Sequence, residues 1–151
     1  MLFDCRIDKN SIALRISSEK ALVEKAVKAC KQFLRQRRVT HTEDVTIVLR
    51  ELTTNAMEHG NQSRPGCVVS CRVEHLGGKR FLVTVEDEGP GFNYGAVRMS
   101  LPDDPRRLQN RGYVLINSLS EKLEFNDRGN CVTAYVSAAA DTEQIVKEAR
   151  T

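Results

Sequence analysis

Two runs of residues have the types and spacing to do chemistry. Glu51-Leu52-Thr53-Thr54-Asn55-Ala56-Met57-Glu58-His59-Gly60 sets a carboxylate and a carboxamide four residues apart. On a helix that spacing brings both to one face. A neutral carboxamide oxygen suits Mg²⁺ when phosphates supply the other ligands. A carboxylate one turn earlier can orient or deprotonate a hydroxyl nucleophile. Asp87-Glu88-Gly89-Pro90-Gly91-Phe92 sets a second carboxylate directly after the apolar alternation Phe81, Val83, Val85. Glycines there let a ligand ring approach the backbone, and the carboxylate can accept from an exocyclic amine such as that of adenine. Each run also has a plainer reading, as polar residues on an exposed helix face or as an ordinary turn after a strand. In this order they read as the metal and adenine ends of a nucleotide pocket.

A third piece is Arg111-Gly112, at the entry to an apolar helical stretch. A helix N-terminus with a glycine is a ready anion site, and Arg adds charge and bidentate geometry; an ordinary helix start with a surface Arg reads the same way. His59 shares the Glu51 and Asn55 stripe and is either structural or a ligand contact. There is no G-x-x-x-x-G-K-[ST] run and no G-x-G-x-x-G run, so neither a P-loop nor a Rossmann reading is supported. With Cys67 and Cys71, His59 makes no convincing zinc constellation.

The elements that must position these groups follow from periodicity. Ile12, Leu14 and Ile16 alternate as in a strand. From Ser18 to about Arg37, Leu22, Ala26, Ala29, Cys30 and Phe33 recur at helical spacing. Thr40-His41-Thr42-Glu43 has the spacing of a capping box, so a second helix is expected from near Thr42. Its apolar stripe is Val45, Val48, Leu49, Leu52 and Ala56. At ~100° per residue, Glu51, Asn55 and His59 form a stripe displaced about 80° from it, placed to line a cleft. Gly60 is expected to end that helix, and 61–66 to be loop. Residues 67–75 and Phe81 to Val85 form two strands joined at Leu76-Gly77-Gly78-Lys79. Asn93 to Gln109, with Pro102 and Pro105, reads as a long loop of the kind that forms lids. A helix over about 112–119 and a final hairpin, Leu123 and Phe125 against Val132, Ala134 and Val136, complete the order. The predicted fold class is α+β, a two-layer sandwich with a mixed, mostly antiparallel sheet covered on one face by helices.

Bulk properties agree with one domain over 1–151, its core at about 10–137 and 138–151 a tail or short helix. A 151-residue chain buries roughly 70% of its unfolded surface without staples. Aromatics are only 5% with no Trp, so aliphatics fill the core and base stacking is not a mode of binding. The net charge of +3 comes largely from Lys31, Arg35, Arg37 and Arg38 at one helix end and from Arg106, Arg107 and Arg111; the first group reads most simply as a solvated face completing a helix dipole. Five irregularly spaced cysteines without a C-x-x-C pair point to free thiols in a reducing cytoplasm. No signal peptide or membrane span is expected.

The residues also carry a resemblance. Glu51 to Asn61, Glu-Leu-Thr-Thr-Asn-Ala-Met-Glu-His-Gly-Asn, resembles the N-box of the GHKL ATPase superfamily, which includes histidine kinases and DNA gyrase. Asp87-Glu88-Gly89-Pro90-Gly91 resembles its adenine box. Leu101-Pro102-Asp103-Asp104-Pro105 followed by Asn110-Arg111-Gly112-Tyr113-Val114-Leu115-Ile116 resembles its last phosphate box. The nearest branch is the stand-alone anti-sigma factor serine/threonine kinases, which typically show Glu-Leu-x-x-Asn-Ala-x-x-His-Gly-Asn and a short lid ending in Gly-Arg-Gly. The resemblance covers about 10–137. It implies ATP and Mg²⁺ as cofactors, with Asn55 on the metal and Glu51 as general base for a seryl or threonyl hydroxyl. It implies that Asp87 accepts from the adenine amine, Gly89 and Gly91 floor the pocket, and Asn110, Arg111, Gly112 and His59 complete the nucleotide contacts. Asn110 stands where the branch usually has Gly. The implied role is phosphorylation of an anti-anti-sigma (STAS) protein and binding of a sigma factor, so that transcription is regulated by partner switching, with a homodimer allowed and no direct nucleic-acid or membrane binding. The alternative from a different class is a nucleotide-gated binding module without catalysis, in which ATP sets the shape of 94–110. A third reading is a catalytic domain serving a histidine phosphoacceptor on another chain.

Overall fold

A computed structural model describes residues 1–90 and 111–138, with side chains described from Val114 onward in the second stretch. The strands are β1 (Phe3–Ile7), β2 (Ser11–Ser17), β3 (Val68–Gly77), β4 (Arg80–Glu86), β5 (Ser120–Phe125) and β6 (Cys131–Ser137). The helices are α1 (Lys20–Gln36), α2 (Glu43–Asn55) and α3 (Arg111–Leu119). The strands form one sheet in the order β1-β2-β3-β4-β6-β5. All five pairings are antiparallel. The expected α+β class holds, and the sheet is antiparallel throughout rather than mixed.

Register explains the two faces. Leu14 pairs with Cys71, Cys71 with Val85, Val85 with Val132 and Val132 with Phe125. The row Ile12, Val73, Val83, Ala134 and Leu123 runs alongside. Because side chains alternate with period two, these rows face one side. There Ile12, Leu14, Val73, Val83, Val85 and Ala134 are buried beneath the helices. The other side carries Arg72, Thr84, Thr133 and Glu124 in register, a polar face suited to water.

The helices bury the stripes that their spacing predicts. On α1, Leu22, Val23, Ala26, Val27, Cys30, Phe33 and Leu34 are buried. On α2 these are Val45, Val48, Leu49 and Leu52, followed by Ala56. Helix α2 lies at the centre of the layer, against α1, α3, β3, β4 and β6. Each such aliphatic side chain contributes about 1.5–3 kcal/mol by leaving water. Arg50 binds Glu24 through two hydrogen bonds of 2.8 and 3.2 Å, joining α2 to α1 at the surface. With both groups well exposed, that pair adds at most about 1 kcal/mol.

Three local expectations are corrected. Strand β1, not anticipated, pairs along the whole of β2. Phe3, Cys5 and Ile7 do alternate, but the run is too short and too mixed to stand out. The capping box does not form: α2 begins at Glu43, its N-cap Thr42 makes no side-chain cap bond, and Thr46 bonds back to the Thr42 carbonyl instead. Gly60 does not end an α-helix. Residues Ala56–Gly60 form a wider π-helical turn, closed by a 2.8 Å bond from Asn61 N–H to the Ala56 carbonyl. The loop expected over 61–66 is present, and it begins with a buried residue, since Asn61 is 2% exposed. The hairpin turn is as expected, with Gly77 and Gly78 at φ +109° and +56°. The lid expected at 93–109 and the terminal helix or tail lie outside the described residues.

Candidate functional site

The site begins at the last turn of α2. Glu51 and Asn55 both lie there, half-buried, one helical turn apart. The strong apolar stripe beside them fixes the rotation of the helix and so the direction of both groups. The Asn55 side-chain nitrogen is buried with no hydrogen-bond partner among the described residues. A buried amide left unpaired costs about 1–3 kcal/mol, so Asn55 has no structural role that consumes it.

The π-helical turn then carries the chain to the end of β4. Turns of this kind concentrate at functional sites. Here the turn lays the Gly60 backbone against Asp87: a Cβ on Gly60 would fall on the Asp87 carboxyl, and a Cβ on Gly89 on the Gly60 carbonyl. Gly60 is not at positive φ. It is glycine because the adenine-box carboxylate rests on its backbone. We expect Gly60→Ala and Gly89→Ala each to lose about 1–3 kcal/mol by overpacking, with larger losses if the turn cannot shift. Urea denaturation should show the drop in midpoint, and an unchanged midpoint for both would contradict this packing.

Asp87 is held by its own neighbours. Its Oδ1 accepts from Gly89 N–H at 2.7 Å. Its backbone N–H donates to the Asn130 carbonyl at 2.9 Å, and its carbonyl accepts from Asn130 Nδ2 at 3.0 Å. Arg128 Nη2 donates to the Gly89 carbonyl at 3.0 Å. Asn126 Oδ1 in turn accepts from Asn130 N–H at 2.9 Å. The β5–β6 turn is therefore a clamp on the adenine box. On the other side Asn61 Oδ1 accepts from Glu88 N–H at 2.8 Å. The Asn61 amide donates to Ser18 Oγ and the Val68 carbonyl. Glu88 Oε1 accepts from Val68 N–H at 3.0 Å. Sequence reasoning missed Asn61 and Asn130 as positioning residues. Asn61 directly follows Gly60 and Asn130 lies between the last two strands, and an Asn in either place reads as loop.

Burial raises the Asp87 carboxyl above the usual range, the Gly89 N–H opposes the rise, Glu86 adds to it and Arg128 offsets it. A raised carboxyl binds its proton more tightly in the folded state. Its contribution to stability is thus full below the unfolded value and lost as pH rises through the folded one. A donor amine on the carboxylate favours the charged form. Adenine-nucleotide affinity is therefore expected to fall as pH drops through the Asp87 titration, with a proton released on binding in that window. Calorimetric titrations against Asp87→Asn, which subtracts the nucleotide's own ionisation, check this; equal pH dependence in both proteins would contradict it.

The other expected residues divide. His59 is exposed on the π-helical turn. Arg111 and Gly112 are the opening residues of α3, which packs against α2. The first N–H groups of a helix have no partner within it, and at this end they would be what Arg111 and Gly112 offer an anion. Gly91 and Asn110 lie outside the described residues. The structure thus joins Gly60, Asp87 and Gly89 in contact, continues them into the turn bearing Asn55 and Glu51, and leaves His59 in solvent.

The donor set fits the ATP and Mg²⁺ that the resemblance implies. Asn55 offers an amide whose buried nitrogen has no partner among the described residues. Asp87 offers a carboxylate acceptor held in place by close packing on Gly60 and Gly89. Among the described residues no cluster of His, Cys, Asp or Glu could hold a metal unaided.

Among solved structures, the chain is similar to the histidine kinase domain of the blue-light activated histidine kinase of Erythrobacter litoralis, with 22% identity over 73% of this chain and 50% of that one, and a TM-score of 0.48. A second structure of that kinase gives 23% identity, 70% and 33% coverage, and a TM-score of 0.48. The chain spans half or less of the length of these structures. No curated protein matches it. Residues 16–136 match the family model of the histidine kinase-like ATPase domain. With most of its length inside that match, the chain belongs to the histidine kinase-like ATPase domain family.

Proposed function

We propose that this protein is an ATP-dependent serine/threonine kinase of the anti-sigma factor type, acting on an anti-anti-sigma (STAS) protein and binding a sigma factor. The observation that carries the proposal is the pairing on α2 of Glu51 with Asn55, whose buried side-chain nitrogen has no partner among the described residues. Bound Mg-ATP supplies the phosphoryl group and the metal charge that offsets its negative oxygens. Asp87 orients the base by accepting from its amine, with Gly89 and Gly91 leaving room for the ring. Asn55 holds the metal through its amide oxygen. Arg111, Gly112, Asn110 and His59 complete the nucleotide contacts. Glu51 takes the proton from the attacking hydroxyl, placed by the same helix turn that places Asn55. Among the described residues no helix is long and apolar enough to cross a membrane. The proposed setting is the cytoplasm and the proposed partners are proteins; the reading allows a homodimer.

The test is transfer of labelled phosphate from Mg-ATP to a STAS protein, with the product then exposed to acid. Acid-stable label on Ser or Thr supports the proposal. Acid-labile label shows a histidine acceptor instead. Partner binding that responds to ATP with no phosphoprotein formed shows a nucleotide-gated module.

A further inference from the structure

The end of α1 leads into a cavity of about 200 Å³ walled by basic groups from separate elements. Arg37 and Arg38 come from the α1 terminus, His41 from the α1–α2 connection, His75 from β3 and Lys79 from the β3–β4 turn. Among the described residues no carboxylate lines it. A helix dipole accounts for cations at the end of α1, but not for His41, His75 and Lys79.

The back wall is fixed. Arg37 donates through Nε to His75 Nδ1 at 3.2 Å, through Nη2 to Asn10 Oδ1 at 2.9 Å, and through Nη1 to the Lys9 carbonyl. The His75 ring stacks on Phe81, and its Nε2 lies 2.7 Å from the Gly78 carbonyl. The side chains of Arg38, His41 and Lys79, by contrast, make no hydrogen bond or ion pair with the described residues. Arg38 also sits at φ +62°. Its N–H bonds the Arg35 carbonyl, and the Val39 N–H bonds the Leu34 carbonyl. That pattern closes a helix at the position where glycine is usual. An Arg there holds a left-handed backbone at a cost that Gly would avoid.

We propose that this cavity is a binding site for a small free anion of the phosphate class, inorganic phosphate or pyrophosphate, separate from the nucleotide pocket. Arg38, His41 and Lys79 supply the converging donors, and the Arg37–His75 pair holds the wall against which the anion rests. The volume suits such an anion and is too small for a nucleotide.

The experiment is thermal unfolding of the full chain in rising inorganic phosphate and pyrophosphate, with sodium chloride at matched ionic strength. The wild-type melting temperature should rise and saturate with the phosphates beyond the chloride control. Lys79→Ala should weaken that response about ten-fold in concentration, the loss of one charged contact. Arg38→Gly should melt higher than wild type without anion, because it relieves the left-handed strain, and yet respond less to phosphate. ATP affinity should stay at its wild-type value in both variants. No phosphate response beyond chloride overturns the site, as does an undiminished response in both variants.

Discussion

Glu51→Ala is expected to lower phosphoryl transfer by about 10²–10⁴-fold while leaving nucleotide binding intact. The asymmetry follows from position. Glu51 lies one turn before Asn55 on α2, half-buried, whereas the adenine end of the site is built from Gly60, Asp87 and Gly89. Truncating Glu51 removes a proton acceptor without touching the clamp that Asn61 and Asn130 place on the adenine box. It leaves the apolar stripe of α2 unchanged, so the fold should persist. Rapid-quench measurement of transfer to a STAS protein, paired with an ATP titration of the same variant, separates the two effects. Undiminished transfer would remove Glu51 from the chemistry. Equal loss of transfer and of ATP affinity would make it a structural residue.

Much of this was legible in the sequence because period sets the pattern. The α2 stripe, Val45 to Ala56, and the alternation through β3, β4 and β6 each bury one face, and burial is what hydrophobic spacing records. The chemistry-bearing motifs were legible because a carboxylate, a carboxamide and glycines recur at fixed offsets. What stayed hidden depends on contacts between distant residues. Gly60 looked like a helix stop, but its reason is the Asp87 carboxyl resting on it. Asn61 and Asn130 looked like loop residues, yet each joins segments 27 or more positions apart. The capping box at Thr40 to Glu43 matched in sequence only, because the helix starts two residues later than that motif requires and Thr46 satisfies the Thr42 carbonyl. Strand β1 is an edge strand, and its exposed Cys5, Arg6 and Ile7 blur the alternation that would reveal it.

Asp87→Asn is expected to weaken adenine-nucleotide binding by about ten- to a hundred-fold, the worth of a hydrogen bond to a charged group. The substitution keeps size and shape, so packing on Gly60 survives. It cannot keep both hydrogen bonds. Gly89 N–H already donates to Oδ1 at 2.7 Å. If the new amide oxygen stays on Gly89, its NH₂ faces the adenine amine, donor against donor. If it turns over, the NH₂ faces Gly89 N–H. Guanine should fail at wild-type Asp87 for the matching reason, since it sets a carbonyl where adenine has its amine. The direct test is a calorimetric titration of wild type and Asp87→Asn with Mg-ATP, with Mg-GTP as the control. The account predicts saturable ATP binding to wild type, weaker by at least about ten-fold in the variant, and much weaker GTP binding. Wild type that binds no ATP, or that binds ATP and GTP alike with Asp87→Asn unchanged, would contradict it.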